Sequence, residues 1–168
     1  EINGDAYSAT SIEDSDNISG NIYEFQEAVP PPQIDFYPYY LEATSSGTSF
    51  IDADDAEALL NNSSTTARVY VEEVCLTKIQ GNNTHLIGFI VVDGDLSISG
   101  GTFDSIEDHV AIAVAGNLSI KGGATINGIV YVKGSTSFGA GTNVINGPLL
   151  SVGDISQTDL SGNTVINY

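Results

Sequence analysis

Carboxylates are the abundant chemistry-bearing side chains of this sequence, and they gather in three places. Asp52, Asp54, Asp55 and Glu57 crowd one stretch, Asp93 and Asp95 flank Gly94, and Glu13, Asp14 and Asp16 form an EDSD run at 13–16. Carboxylates so spaced can hold a hard divalent cation or work as an acid and base pair. Each cluster also has a plainer account. Asp52 or Asp54 can cap a helix whose acidic first turn suits the helix dipole. The EDSD run reads as a solvated corner, because it lacks the ordered spacing of a calcium loop. Asp93-Gly94-Asp95 occurs once, and the equivalent places downstream hold Ala115-Gly116-Asn117 and Lys133-Gly134-Ser135. Asp52, Asp54, Asp93 and Asp95 are the candidate cation ligands; calcium is the ion to test, and no other cofactor is expected.

Nucleophiles and bases are scarce. His85 and His109 fall in loops without a matching Ser, Cys or Asp motif, and read as surface histidines. Cys75 is the single cysteine and reads as an inert core thiol. No phosphate-binding loop, dinucleotide turn, zinc spacing or nucleophile elbow occurs. A polysaccharide-cleaving site would need carboxylates on neighbouring strands with a basic residue beside them. Outward positions here are mostly Ser, Thr, Asn, Ala and Gly, so no enzymatic activity is expected.

The formal charge of −18 comes from 22 acidic residues against Arg68, Lys78, Lys121 and Lys133. Such a surface repels nucleic acid and anionic lipid, which rules against both as partners. No run approaches the roughly 18 apolar residues of a membrane span. The chain begins on Glu1 and contains no Met, from which a soluble or processed chain is expected.

What must position any site is a repeat. Gly88-FIVVD-Gly94, Val110-AIAVA-Gly116, Gly128-IVYVK-Gly134 and Gly147-PLLSV-Gly153 close on glycines 22, 18 and 19 residues apart, the mark of stacked units. Within one copy, Ile112, Val114, Leu118, Ile120, Ala124 and Ile126 alternate with small or polar residues, the period of half-buried strands. Breaks at Gly116 and Gly122-Gly123 can turn the chain through positive φ. The expectation is an all-β β-solenoid of short triangular rungs, with one short α-helix in an inserted segment.

Stacking the copies predicts the columns Ile90, Ile112, Val130, Leu149; Leu96, Leu118, Thr136, Ile155; and Ile98, Ile120, Phe138, Gln157. Ile126, Ile145 and Ile166 form another, each followed by an asparagine able to pass hydrogen bonds from rung to rung. Ser151 and Gln157 break the apolar columns and mark an end of the stack or a register slip.

Read as one domain over 1–168, the chain has degraded rungs at 1–25, an excursion at 26–85 and four regular rungs at 86–168. Ile2-Asn3-Gly4-Asp5-Ala6-Tyr7 and Ile18-Ser19-Gly20-Asn21-Ile22-Tyr23 repeat the later grammar. Pro30-Pro31-Pro32 and IDFYPYY predict an extended aromatic strap. Asp55–Leu60 is the helix, and residues 67–80 read as one strand.

The runs GFIVVDGDLSISGG and GNLSIKGGATINGIVYVKG, with NVINGPLL and TVINY, resemble the repeat-rich carboxy-terminal regions of type IV pilus-assembly proteins of the PilX kind; PPPQIDFYPYYLEAT is similar to the stretch that precedes such rungs. Bactofilins, which are cytoskeletal polymers, share a similar grammar but lack a long excursion. The resemblance implies an extracellular, cell-surface location and a partner that is either a copy of this chain or a pilin-type helical chain. The expected function is a non-enzymatic structural subunit or exposed domain of a pilus-like filament. The alternative is an adhesin-type module holding a glycan or a surface. Expected assembly contacts are Ile2, Tyr7, Tyr37, Tyr39, Tyr40, Val165, Ile166 and Tyr168, with the last rung either meeting a neighbouring subunit or covered by residues 30–60.

Overall fold

Alternating apolar residues interrupted by glycines make strands too short for a flat sheet, and the chain coils them into a prism. The computed structural model describes residues 6–7, 22–23, 32–50, 52–106, 109–157 and 162–167. The chain divides into two compact units, 1–33 and 34–168. In the first, β1 (Ala6–Tyr7) pairs in parallel with β2 (Ile22–Tyr23), Ala6 opposite Ile22. That is the offset of the two Ile-Asn/Ser-Gly copies.

The second unit opens with α1 (Tyr37–Ser46), β3 (Ser49–Phe50) and α2 (Ala53–Leu60). The strands β4 (Ser64–Val71), β5 (Leu76–Gln80), β6 (His85–Val92), β7 (Asp95–Ser99) and β8 (Thr102–Ser105) follow. Then come β9 (Val110–Val114), β10 (Leu118–Lys121), β11 (Thr125–Asn127), β12 (Ile129–Val132) and β13 (Thr136–Phe138). β14 (Thr142–Asn146), β15 (Leu149–Ser151), β16 (Ile155–Gln157) and β17 (Asn163–Asn167) complete the described part. All described pairings are parallel, and they trace three faces. One runs β3, β4, β6, β9, β12, β15, the second β5, β7, β10, β13, β16, and the third β4, β6, β8, β11, β14, β17. β4 and β6 are long enough to turn a corner and serve two faces. This is a β-solenoid.

Every predicted column stands in register. Ile90, Ile112, Val130 and Leu149 are successive partners, as are Leu96, Leu118, Thr136 and Ile155. Ser151 and Gln157 keep register too, so the polar break marks the end of the described stack and no slip. Thr136 Oγ1–H donates to Ser151 Oγ at 3.1 Å, which satisfies polar groups in the column.

The corners use glycine in two ways. Gly88, Gly128 and Gly147 take φ of 152°, 139° and 146°, and a Cβ at Gly88 would lie 1.8 Å from the Ala67 carbonyl oxygen. Gly116, by contrast, needs no positive φ. It donates to Gly94 at 2.9 Å and accepts from Gly134 at 3.0 Å, and a Cβ there would meet Gly94 O at 2.7 Å. Close stacking of backbone on backbone fixes this residue.

Two cores result. The prism interior is filled by residues such as Ile79, Leu86, Ile98, Ile112 and Ile126. A second apolar layer lies outside the β4–β6–β9–β12 face, where Phe36, Ala43, Tyr70, Phe89, Ala113 and Tyr131 pack together. Helix α1 lies in that layer, and it corrects the expected extended strap. Pro38 falls in the first turn, where its missing N–H is no loss, Asp35 accepts the Tyr37 N–H at 3.0 Å, and Gly47 ends the helix at φ 70°. Among the described residues the expected single helix is therefore one of two.

Residues 67–80 divide at Glu72–Cys75 into β4 and β5, which form a further turn in register with β6 and β7. The regular stack thus begins within the segment read as an excursion. Its weak sequence signature comes from the corner, where Cys75 stands opposite Gly94 and Glu72–Val74 lengthen the turn.

Candidate functional site

The Asn column is continuous. Asn167 Nδ2–H donates to Asn146 Oδ1 at 2.8 Å, Asn146 to Asn127 at 2.6 Å, and Asn127 to Asp104 Oδ1 at 2.5 Å. Asp104 Oδ2 pairs with His85 Nε2 at 2.7 Å. The bond from Asn127, then the contact with His85, hold the Asp104 carboxyl below its ordinary pKa. The sequence pattern predicted three members of this ladder; Asp104 stands opposite Asn127 in the preceding turn, and His85, which lies opposite Thr102 two residues before the ladder position held by Ile87, reaches Asp104 diagonally. His85 is accordingly no free surface histidine.

Neither is His109. Its ring stacks on Phe89 with centroids 5.7 Å apart, Nε2 lies 2.9 Å from Glu42 Oε2, and Nδ1–H donates to the Ile106 carbonyl at 3.1 Å. Glu42 of α1 also pairs with Arg68. Arg68 and His109 together pin α1 onto the face.

The aromatic residues of α1 separate into different roles. Tyr39 packs edge-on against Phe89 at 5.1 Å and against His109, and Tyr40 packs edge-on against Tyr70. Tyr37 is 61% exposed and stacks on Tyr40 at 6.2 Å. Tyr39 and Tyr40 thus tie the helix to the prism, while Tyr37 faces solvent.

The four candidate cation ligands do not converge. Asp52 caps α2 by accepting the Asp55 N–H at 3.2 Å, and Asp54 sits in the helix's acidic first turn. Asp93 accepts the Tyr70 hydroxyl at 2.9 Å, and burial followed by that bond pushes the Tyr70 phenol above its usual range. Asp95 accepts the Asn117 N–H at 2.7 Å. Among the described residues no three His, Cys, Asp or Glu side chains are placed to share a metal ion. Cys75 is half-buried beside Asp93 and Asp95 in a shallow groove of about 270 Å³. The Glu73 carboxylate, then burial, push its thiol up to about 11, which suppresses the reactive thiolate.

The remaining site is the contrast between the two ends of the stack. At the first end, β3 continues the β4 edge, while Glu57 Oε1 and Asn61 Oδ1 each accept a β5 backbone N–H, from Lys78 and Gln80, at 2.6 Å. Leu60 of α2 is fully buried in the interior core. Residues 49–50 and 52–61 therefore close this end, the opposite one to that expected. At the last end β15, β16 and β17 terminate their sheets. Val152, Ile155 and Val165 are exposed, Ile155 by 53%, and Ile166 is half-buried against the core. Of the expected assembly contacts, Val165 and Ile166 lie here. Ile2 and Tyr168 fall outside the described residues, and Tyr7 is described in its backbone alone.

The fold and these contacts define a parallel β-solenoid closed at one end by a helix and a short strand. A scan against protein-family models, a search of curated proteins and a search of solved structures each found no match.

Proposed function

We propose that this chain is a non-enzymatic structural subunit, or exposed domain, of an extracellular filament at the cell surface. It associates with its own copies or packs on a pilin-type helical core. The observation that carries the reading is the last turn: among the described residues no strand pairs beyond β15, β16 and β17, and Val152, Ile155 and Val165 are exposed there, opposite an end finished by side-chain caps. Unpaired strand edges attract another chain unless they are covered or charged, and solenoid ends ordinarily carry a cap. Charge supports the same end. Residues 134–168 hold two of the 22 acidic residues, Asp154 and Asp159, and no Lys or Arg. Like-charged copies approach there with least repulsion. The closed first end disfavours head-to-tail growth of the stack, which argues against a bactofilin-like polymer.

Electron microscopy of native material, with labelling against this chain, tests the reading. Decorated filaments are the expected result, and an exclusively monomeric antigen with no filament in the source would sink it.

A second reading, an adhesin-type module for glycans, rests on the exposed Tyr37 ring stacked on Tyr40. Such a surface suits a sugar ring. A glycan array in which Tyr37→Ala abolishes binding would favour it.

A further inference from the structure

We propose that β17 is a two-fold joint, pairing antiparallel with β17 of a second copy about Val165. This rests on the self-associating reading above and names its contact.

The hydrogen-bond parity of the strand carries the argument. Asn163 N–H donates to Gly141 O, and Asn167 O accepts from Gly147 N–H, so both residues turn their backbone groups toward β14. In a parallel strand this direction alternates, so Val165 does the same and Thr164 and Ile166 turn theirs to the other edge. No strand among the described residues pairs with that edge.

Antiparallel pairing centred on Val165 sets Thr164 opposite Ile166 of the copy, and Ile166 opposite its Thr164. These are the positions whose N–H and C=O are directed outward, so each pair exchanges two hydrogen bonds, four in the joint. Val165 meets the copy's Val165 at a non-hydrogen-bonded site, where side chains come closest. The segment Asn163-Thr164-Val165-Ile166-Asn167 is also symmetric about its centre on the outward face. Asn163 faces Asn167 of the copy, an amide pair in both halves, with valine between. A shift by one residue would instead bring together backbone groups that are turned away.

The occupant is a copy because of symmetry and charge. At the first end the Lys78 and Gln80 N–H groups of β5 are already taken by Glu57 and Asn61, which leaves a head-to-tail partner fewer backbone groups to match, whereas a two-fold contact needs only the open edge itself. The strand and its outward neighbours Asn146 and Val144 carry no charge, in a chain of −18.

Sedimentation equilibrium of the full chain reads the joint, with disulfide trapping in a Cys75→Ser background. A monomer–dimer equilibrium is expected. Val165→Cys forms a disulfide-linked dimer on mild oxidation, while Thr66→Cys, exposed near the closed end, does not. Val165→Lys sets like charges opposite each other and weakens the dimer about tenfold, with unchanged circular dichroism. Association that persists in Val165→Lys, or that occurs without the Val165→Cys crosslink, overturns the joint in favour of another surface. A chain monomeric at every concentration also overturns it. Filaments in native material would then leave the structural reading standing, and their absence would remove both.

Discussion

The Glu57 carboxylate accepts the Lys78 backbone N–H at 2.6 Å, so a helix side chain occupies the place that a neighbouring strand's carbonyl would fill. Glu57→Ala frees that donor to water and costs about 1 kcal/mol. Leu60→Ala, which empties part of the plug beneath it, costs about 2–5 kcal/mol. Urea unfolding of both variants measures the difference. Equal, negligible effects would show that α2 does not close the stack.

Asp104 predicts an acid limb to stability. Its folded pKa is depressed by Asn127 and His85, so its contribution is complete above the ordinary carboxylate range. That contribution is lost as pH falls through the lowered folded value. Asp104→Asn lowers stability at neutral pH and flattens the loss below the carboxylate range. Thermal melts from pH 7 to pH 2 compare the slopes; an identical acid limb in the variant would refute the role.

Gly88→Ala places a Cβ 1.8 Å from Ala67 O, at a φ of 152°. Backbone must move in two turns, and the expected cost exceeds about 2 kcal/mol. Gly47→Ala, at φ 70° with nothing near its Cβ, bears the backbone strain alone and costs less. Chemical denaturation ranks the pair; the opposite order would count against close stacking as the reason for Gly88.

Tyr37 and Tyr39 separate surface from scaffold. Tyr39→Ala removes ring contacts to Phe89 and His109 and costs about 2–4 kcal/mol, in the range of partly buried aromatic truncations. Tyr37→Ala falls within about 0.5 kcal/mol of wild type, as exposed substitutions do. Loss of stability in Tyr37→Ala would mean that its ring is structural.

The solenoid was legible because its signal is periodic. Columns such as Leu96–Leu118–Thr136–Ile155 need only correct spacing, and the glycine corners supply it. Helix α2 was legible through Asp52 and its acidic first turn. Helix α1 was not, because Pro38 reads equally as an extended-chain residue and as a helix starter, and the choice was decided by an apolar face, Phe89, Ala113 and Tyr131, assembled from three different turns. The anchoring of the ladder was hidden for a related reason. Asp104 lies within DSIEDH, which looks like a solvated loop until register sets it above Asn127. Which end is closed depended on where α2 docks, and no local pattern states that.

A stack finished at one end has a built-in direction for assembly of the chain itself. The cap formed by β3, α2, β4 and β5 joins segments close in sequence, so its loops close at low entropic cost. Each later turn then adds to a template already in place, as in a one-dimensional lattice where every layer touches only its neighbours. The chain emerges from synthesis in the same order, first end first, so the growing edge is always the one that the next turn will occupy.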